Sequence, residues 1–125
     1  MAEIYIYNKN DDDFKNKLKL IKKSINILCK KAIPPDYIDI KNENYTDLII
    51  AFSKGSERNQ NDFTTILGFV VICQNYNNIE VELICVGNQF RDKQLFEVKG
   101  LGYKLFNKIE DICKDKNLNI IKLSA

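Results

Sequence analysis

The C-terminal stretch EVKGLGYKLFNKIEDICKDKNLNIIKLSA, Glu97–Ala125, decides the fold because it joins a glycine-bearing loop, a helical pattern and a strand. Apolar residues recur every three or four positions after the glycines, which predicts one buried face of a helix: Leu101, Leu105, Ile109 and Ile112. The run LNIIKLSA that follows is short, apolar and rich in β-branched residues, so it predicts a last strand.

Two apolar segments before this stretch have strand patterns, and together they predict an antiparallel hairpin. TTILGFVVICQ, Thr64–Gln74, and IEVELICVG, Ile79–Gly87, are separated by the turn-forming residues NYNN. The second strand alternates Ile79, Val81 and Leu83 before it becomes wholly apolar. Since a single helix connects it to the last strand, we expect those two strands to be parallel.

The N-terminal half predicts two strands with a helix between them. EIYIYNK, Glu3–Lys9, alternates as a strand, and NDDDFKNKLKLIKKSINILCKK, Asn10–Lys31, has helical periodicity with acidic residues expected in its first turn. Pro34 and Pro35 end that helix, and DLIIAFS, Asp47–Ser53, predicts the next strand. The order β-α-β-β-β-α-β predicts a single α/β domain over residues 1–125, with a mixed antiparallel and parallel sheet.

Composition excludes several classes of function. The chain has 125 residues, 45% of them apolar, a formal net charge of +2 and no histidine. That charge is too small to predict nucleic-acid binding, and histidine-based catalysis is excluded. No apolar run is long enough to span a membrane and no leader precedes the first strand, so we expect a soluble cytoplasmic protein.

The cysteines and the acidic run predict no metal site. The four cysteines stand singly in apolar segments, as expected of reduced core residues: Cys29, Cys73, Cys85 and Cys113. Asp11–Asp13 could be metal ligands, but carboxylates at a helix N-terminus already have an electrostatic reason to be there.

Gly100 and Gly102 leave two interpretations open. A glycine loop before a helix N-terminus favours phosphate binding, because free backbone N–H groups point at the anion. It is equally compatible with a flexible start of the helix. Neither familiar nucleotide motif is present, since Leu105 stands where a dinucleotide fingerprint needs a third glycine and no Gly-Lys-Ser/Thr follows.

The segment Thr65–Ala125 resembles the core of the GNAT superfamily of acyl-CoA-dependent N-acetyltransferases. The resemblance rests on the hairpin, on ICV at the end of its second strand, and on EVKGLG at Glu97–Gly102. It implies that the strand-end backbone pairs with the pantetheine arm and the loop backbone N–H groups hold the pyrophosphate of acetyl-CoA. The residues implied are Ile84, Cys85 and Val86 for the arm, and Val98, Lys99, Gly100, Leu101, Gly102 and Tyr103 for the pyrophosphate.

The resemblance also implies a general base on the second hairpin strand. Some family members carry a glutamate six residues before the strand-ending aliphatic residue, which gives Glu80 here; Glu82 is the second candidate. A carboxylate in that place removes the proton that an alkylammonium must lose before it attacks a thioester. Amine recognition would fall to the segment around Pro34–Tyr45 and to the hairpin loops, and no residue is assigned as the general acid.

We therefore expect acetyl-CoA-dependent acetylation of a primary amine, by direct attack in a ternary complex. Three features depart from the family: the loop begins with Glu97 where Arg or Gln is usual, the link from Gly87 to Phe96 is longer than usual, and NIIKLSA is not followed by the family's further helix and two strands. The alternative is a non-catalytic, C-terminally shortened module that binds a partner or forms a homodimer through its open sheet edge. A small RNA-binding domain has the right elements but lacks a basic-aromatic strand motif.

Overall fold

The computed structural model describes residues 3–29, 37–53, 62–86, 100–118 and 120–123. Within these ranges the chain forms, in order, β1 (Glu3–Asn8), α1 (Phe14–Leu28), β2 (Asp47–Phe52), β3 (Ile66–Gln74), β4 (Asn78–Val86), α2 (Leu101–Asp115) and β5 (Ile120–Leu123). The predicted order β-α-β-β-β-α-β is confirmed. A short 3-10 turn, Phe63–Thr65, stands where the third predicted strand was expected to begin.

The five strands form one mixed sheet in the order β1-β2-β3-β4-β5. Each neighbouring pair from β1 to β4 is antiparallel, and β4 and β5 are parallel. The predicted hairpin and the predicted parallel pair are both confirmed. The parallel pair requires a crossover connection, and α2 lies in that connection.

Within the described ranges, one helix covers each face of the sheet. Side chains alternate along the central strands, so that Ile50 and Phe69 pack in the core beneath α1, and Ile49 and Val70 pack in the core beneath α2. All four are completely buried. Strands buried on both faces read as continuous apolar runs, and this explains the sequences DLIIAF and ILGFVVIC.

The acidic residues before α1 do not lie in its first turn, and that prediction is wrong. Asp13 occupies the N-cap position without a side-chain cap, and the first turn contains no acidic residue. The carboxylate of Asp11 instead accepts a hydrogen bond of 2.8 Å from the backbone N–H of Asn8. A short acidic side chain bonded to nearby backbone is a common way to close a turn, so the run shapes the connection between β1 and α1.

A β-bulge in β4 reverses the alternation predicted from the sequence. Val71 pairs with Leu83 and Ile72 pairs with Val81, which leaves Glu82 as an extra residue between the two pairs. Val81 belongs to the core beneath α2, whereas Leu83 belongs to the core beneath α1. The predicted common face of Ile79, Val81 and Leu83 is therefore wrong, because a bulge shifts the two-residue period.

The prediction that all four cysteines are reduced is also wrong. Cys29 and Cys85 form a disulfide with a Cα–Cα distance of 6.5 Å. Cys73 and Cys113 are free and buried, as expected of core residues. Chain spacing could not indicate this pair, since 56 positions separate the two residues and the fold alone brings α1 and β4 together.

No helix in the described ranges is long and apolar enough to cross a membrane.

Candidate cofactor and acceptor site

Within the described ranges, β4 and β5 pair over four residues each. Their pairing runs from Asn78 opposite Ile120 to Val81 opposite Leu123. We call Glu82–Val86 the fork; in the described ranges its backbone pairs only with β3. Unpaired strand edges offer N–H and C=O groups to any extended molecule that fits beside them. Ile84, within the fork, is 40% exposed although it is a large apolar residue in mid-strand.

The N-terminus of α2 begins with a glycine in a left-handed conformation. Gly100 occupies the N-cap position with φ of +70°, and its carbonyl accepts a 3.1 Å bond from the N–H of Lys104. The N–H groups of the next three residues, Leu101 to Tyr103, have no partner inside a helix by geometry. Together with the positive end of the helix dipole, they form a typical anion-binding arrangement.

Gly102 brings the helix N-terminus beside the end of the fork. Among the described residues, a Cβ placed on Gly102 would meet only the Cγ2 atom of Val86, at 4.0 Å. The two segments predicted to bind the cofactor, one on β4 and one at the start of α2, are therefore adjacent. Val98 and Lys99, which belong to the same prediction, lie outside the described residues.

Two of these residues have side chains that are occupied in the core or in the disulfide. Leu101 is 1% exposed in the core beneath α2, and the sulfur of Cys85 is bonded to Cys29. Only their backbone groups remain available to a ligand. Tyr103 is the opposite case, because its side chain is 73% exposed next to the free N–H groups of α2.

Both candidate carboxylates lie on the face of the sheet covered by α1. Glu80 pairs with Cys73, a residue of the core beneath α1. The pKa of the Cys73 thiol is raised to about 12, first by burial, then by the charge of Glu82 and a hydrogen bond to it, and finally by the charge of Glu80. One thiol therefore lies close to both carboxylates.

The two carboxylates differ in their position relative to the fork. Glu80 stands in the paired part of β4, where Lys122 is its neighbour on β5. Glu82 is the bulge residue and the first residue of the fork. A carboxylate within the fork is better placed than one in the paired part of β4 to meet a ligand that binds along the fork.

Tyr37 is a site residue that the sequence did not single out. Its hydroxyl donates a 3.4 Å hydrogen bond to the main-chain oxygen of Glu82, and its side chain is 45% exposed. It lies within Pro34–Tyr45, the segment expected to recognise the amine. Nothing in the local sequence distinguishes Tyr37 from other tyrosines, because its partner is 45 positions away.

A separate cavity of about 840 Å³ lies at the other end of α1. It is bounded by the start of that helix and the segment before β2, with Lys15, Lys19, Lys41, Asp11 and Tyr45 among its lining residues. Burial raises the pKa of Tyr45 above its ordinary value. The cavity contains none of the residues of the fork or of the start of α2.

Sequence comparisons find no relatives, whereas the fold has many. No family model and no curated protein sequence matches the chain. A ribosomal-protein-alanine N-acetyltransferase from Brucella melitensis biovar Abortus 2308 matches all of this chain and 80% of its own, with a TM-score of 0.65 and 13% identity. A GNAT-family acetyltransferase from Staphylococcus aureus Mu50 matches 98% of this chain and 74% of its own, with a TM-score of 0.59 and 21% identity.

A third similar structure contains a ligand. The catalytic domain of the Tetrahymena GCN5 histone acetyltransferase, in complex with coenzyme A, matches 97% of this chain and 66% of its own. Its TM-score is 0.61 and the identity is 20%. At these identities the likeness establishes the fold: the chain has the GNAT acetyltransferase fold, as the sequence resemblance implied.

Proposed function

We propose that this protein is an acetyl-CoA-dependent N-acetyltransferase that acts on a primary amine. The observation that carries the proposal is the placement of the fork, whose backbone pairs only with β3 in the described ranges, directly beside a glycine-initiated helix N-terminus. An extended arm that ends in a pyrophosphate needs both features, one for its amide groups and one for its charge. The GNAT fold supports the same assignment.

The residues present fit acetyl-CoA in two segments. Backbone N–H groups of Leu101, Gly102 and Tyr103 would hold the pyrophosphate, and we assign Val98 and Lys99 to the same role from the sequence resemblance. The backbone of Ile84–Val86 would pair with the pantetheine arm as an added strand does. Acetyl-CoA supplies the activated acetyl group; the protein supplies position and a base.

We assign Glu82, rather than Glu80, as the general base. An acceptor ammonium loses one proton to the carboxylate, and the neutral nitrogen then forms a bond to the thioester carbonyl carbon. The carbon–sulfur bond breaks as the tetrahedral intermediate collapses, and the electron pair leaves with the sulfur. The nitrogen gives up its second proton as the amide forms, and that proton neutralises the thiolate, directly or through solvent. Glu82 suits this step because it stands at the start of the fork, with its main chain held by Tyr37.

A second candidate function follows from the other side of β5. In the described sheet β5 pairs with β4 alone, so its outer edge is open to another strand. A non-catalytic module of this fold could form a homodimer there. Light scattering after gel filtration distinguishes the states, and a dimer that binds no acetyl-CoA would favour this alternative.

Calorimetric titration with acetyl-CoA tests the cofactor site. Asp and Asn have nearly the same shape, so we compare Gly102→Asp with Gly102→Asn, and Gly100→Asp with Gly100→Asn. We expect the wild type to bind and each Asp variant to bind about tenfold more weakly than its Asn control, since a carboxylate repels the pyrophosphate. Equal losses for Asp and Asn would contradict a phosphate site, and a folded wild type that does not bind would contradict the enzyme.

Acetyl transfer is then measured by thiol release with four acceptors: an alanine-initiated peptide, a lysine peptide, spermidine and an aminoglycoside. With any active acceptor, Glu82→Gln should lower kcat/KM by about 100-fold or more while Glu80→Gln has the smaller effect. Binding of acetyl-CoA should be unchanged in both variants. The reverse order of effects would return the assignment to Glu80.

A further inference from the structure

The Cys29–Cys85 disulfide joins the end of α1 to the proposed cofactor strand. Cys29 is the C-cap residue of α1, and its backbone N–H donates a 2.9 Å bond to the carbonyl of Ile25. Cys85 is the middle residue of Ile84–Val86, the segment to which we assign the pantetheine arm. The bond keeps the two Cα atoms 6.5 Å apart and so fixes α1 against the fork.

The other two cysteines take no part in this connection. Cys73 and Cys113 are both buried and unpaired, in the cores beneath α1 and α2 respectively. Burial raises the pKa of both thiols, which keeps them protonated and slow to react near neutral pH. A change of redox conditions therefore acts first on the Cys29–Cys85 pair.

The fork is the part of β4 whose position depends most on a restraint from outside the sheet. On the β3 side its residues pair with Gly68–Val71, and on the other side no described strand accompanies it. A strand edge that must accept an extended ligand binds more tightly when its position is fixed beforehand. The disulfide supplies this restraint from the α1 side, three residues along the strand from the Tyr37 contact at Glu82.

We propose that the Cys29–Cys85 disulfide is a redox control of acetyl-CoA binding, in which the oxidised protein binds tightly and the reduced protein binds weakly. This inference rests on the proposed function. A dithiol reductant breaks the bond in two exchanges: one thiolate attacks a protein sulfur and forms a mixed disulfide, releasing one cysteine. The second thiolate displaces the other cysteine, so the protein gains two thiols and the reductant becomes a cyclic disulfide.

Thermodynamic linkage between disulfide oxidation and acetyl-CoA binding allows the inference to be tested from either side. If oxidation favours acetyl-CoA binding, then bound acetyl-CoA must favour oxidation by the same factor. The sulfurs are also shielded, since Cys29 is 3% and Cys85 is 9% exposed, so reduction requires the end of α1 to open. Acetyl-CoA should therefore both lower the reduction potential and slow the reaction with a reductant.

The experiment uses the whole chain in dithiothreitol redox buffers, with thiols alkylated and counted by mass spectrometry. Acetyl-CoA affinity is measured by calorimetry for oxidised wild type, reduced wild type, the Cys29→Ser/Cys85→Ser variant and the control Cys113→Ser. We expect oxidised wild type and Cys113→Ser to bind acetyl-CoA about tenfold more tightly than reduced wild type and the Cys29→Ser/Cys85→Ser variant. A tenfold difference corresponds to a change of about 30 mV in the reduction potential of the disulfide when acetyl-CoA is saturating. Circular dichroism verifies that each form is folded.

The outcomes separate the two proposals. Equal affinity in the oxidised and reduced states overturns the redox control and leaves the acetyltransferase proposal standing. Failure of Cys29 and Cys85 to link in oxidising buffer overturns the redox control in the same way. A folded protein that binds no acetyl-CoA in either state overturns the proposed function and, with it, the redox control.

Discussion

Replacing Gly68 by alanine tests how closely α2 must lie on the sheet. Gly68 lies in β3 opposite Val86 and Ala51, beneath the first turns of α2. A Cβ at this position would lie 2.9 Å from the main-chain oxygen of Cys85, 3.3 Å from Leu105 and 3.4 Å from Leu101. The first contact is with backbone and cannot be relieved by a side-chain rotation, so β4 or α2 must move.

The expected cost follows from two opposing effects. Overpacking of a close-packed core costs about 1–3 kcal/mol, whereas the lost backbone freedom of the unfolded chain returns about 0.4–1 kcal/mol. The net loss should be about 1–2 kcal/mol in the free energy of unfolding, or about 3–10 °C in Tm for a domain of this size. Acetyl-CoA affinity should also fall several-fold, because the displaced elements carry the proposed site.

Gly102→Ala is a matched control, since it makes the same chemical change at a position with space. In the part of the chain that the structure describes, the added Cβ meets one atom, at 4.0 Å, and the position is helical, so the free energy of unfolding should rise by up to about 1 kcal/mol. Urea unfolding followed by circular dichroism measures both variants under identical redox conditions. Equal stability of Gly68→Ala and wild type would refute the argument that α2 requires a glycine beneath it.

Three further predictions concern stability. Gly100→Ala should lower the free energy of unfolding by about 1 kcal/mol because φ is +70°, even though no described atom lies within 4 Å of the added Cβ. Gly100→Asn should lower it less, and similar urea midpoints for the two variants would contradict the conformational cause. In oxidising buffer Cys29→Ser should lower the free energy of unfolding by about 2–4 kcal/mol, and an equal loss in reducing buffer would show that the crosslink is not responsible. Burial, with smaller contributions from Tyr5 and Asp13, raises the pKa of Tyr7 from 10.0 to about 12. The folded protein then holds that proton more tightly, so stability present below pH 10 should fall between pH 10 and 12. This loss of stability should be smaller in Tyr7→Phe. If the free energy of unfolding falls equally steeply with pH in Tyr7→Phe and wild type, the titration of Tyr7 is not the cause.

The fold was largely predictable because its signals are local. Apolar spacing in α1 and α2 and the turn between β3 and β4 are visible within a few residues of each other. The parallel pairing of β4 and β5 followed from the single helix between them. The predicted first helical turn of α1 was wrong, because an acidic side chain can bond either to a helix end or to a preceding turn, and only the geometry of Asn8 and Asp11 selects one.

The site was only partly predictable. Gly100 and Gly102 were found from their position before a helical pattern, and their neighbours on β4 from a family resemblance. The assignment of pyrophosphate and pantetheine to these residues stays a prediction. The choice between Glu80 and Glu82 required the bulge, which inserts one residue into β4 without any sequence signature. Tyr37 required a contact across 45 positions.

The sequence by itself determined the order of the elements, the helix stripes and the strands that are buried on both faces, because these depend on periodicities of two and of three to four residues. Only the tertiary structure decided which residues of β4 and β5 lie opposite one another in the described ranges, which face each glutamate occupies and that Cys29 meets Cys85. Those features depend on contacts between distant segments, whose geometry is set by packing of the whole domain rather than by any local pattern. The proposed chemistry lies in these features, at the fork.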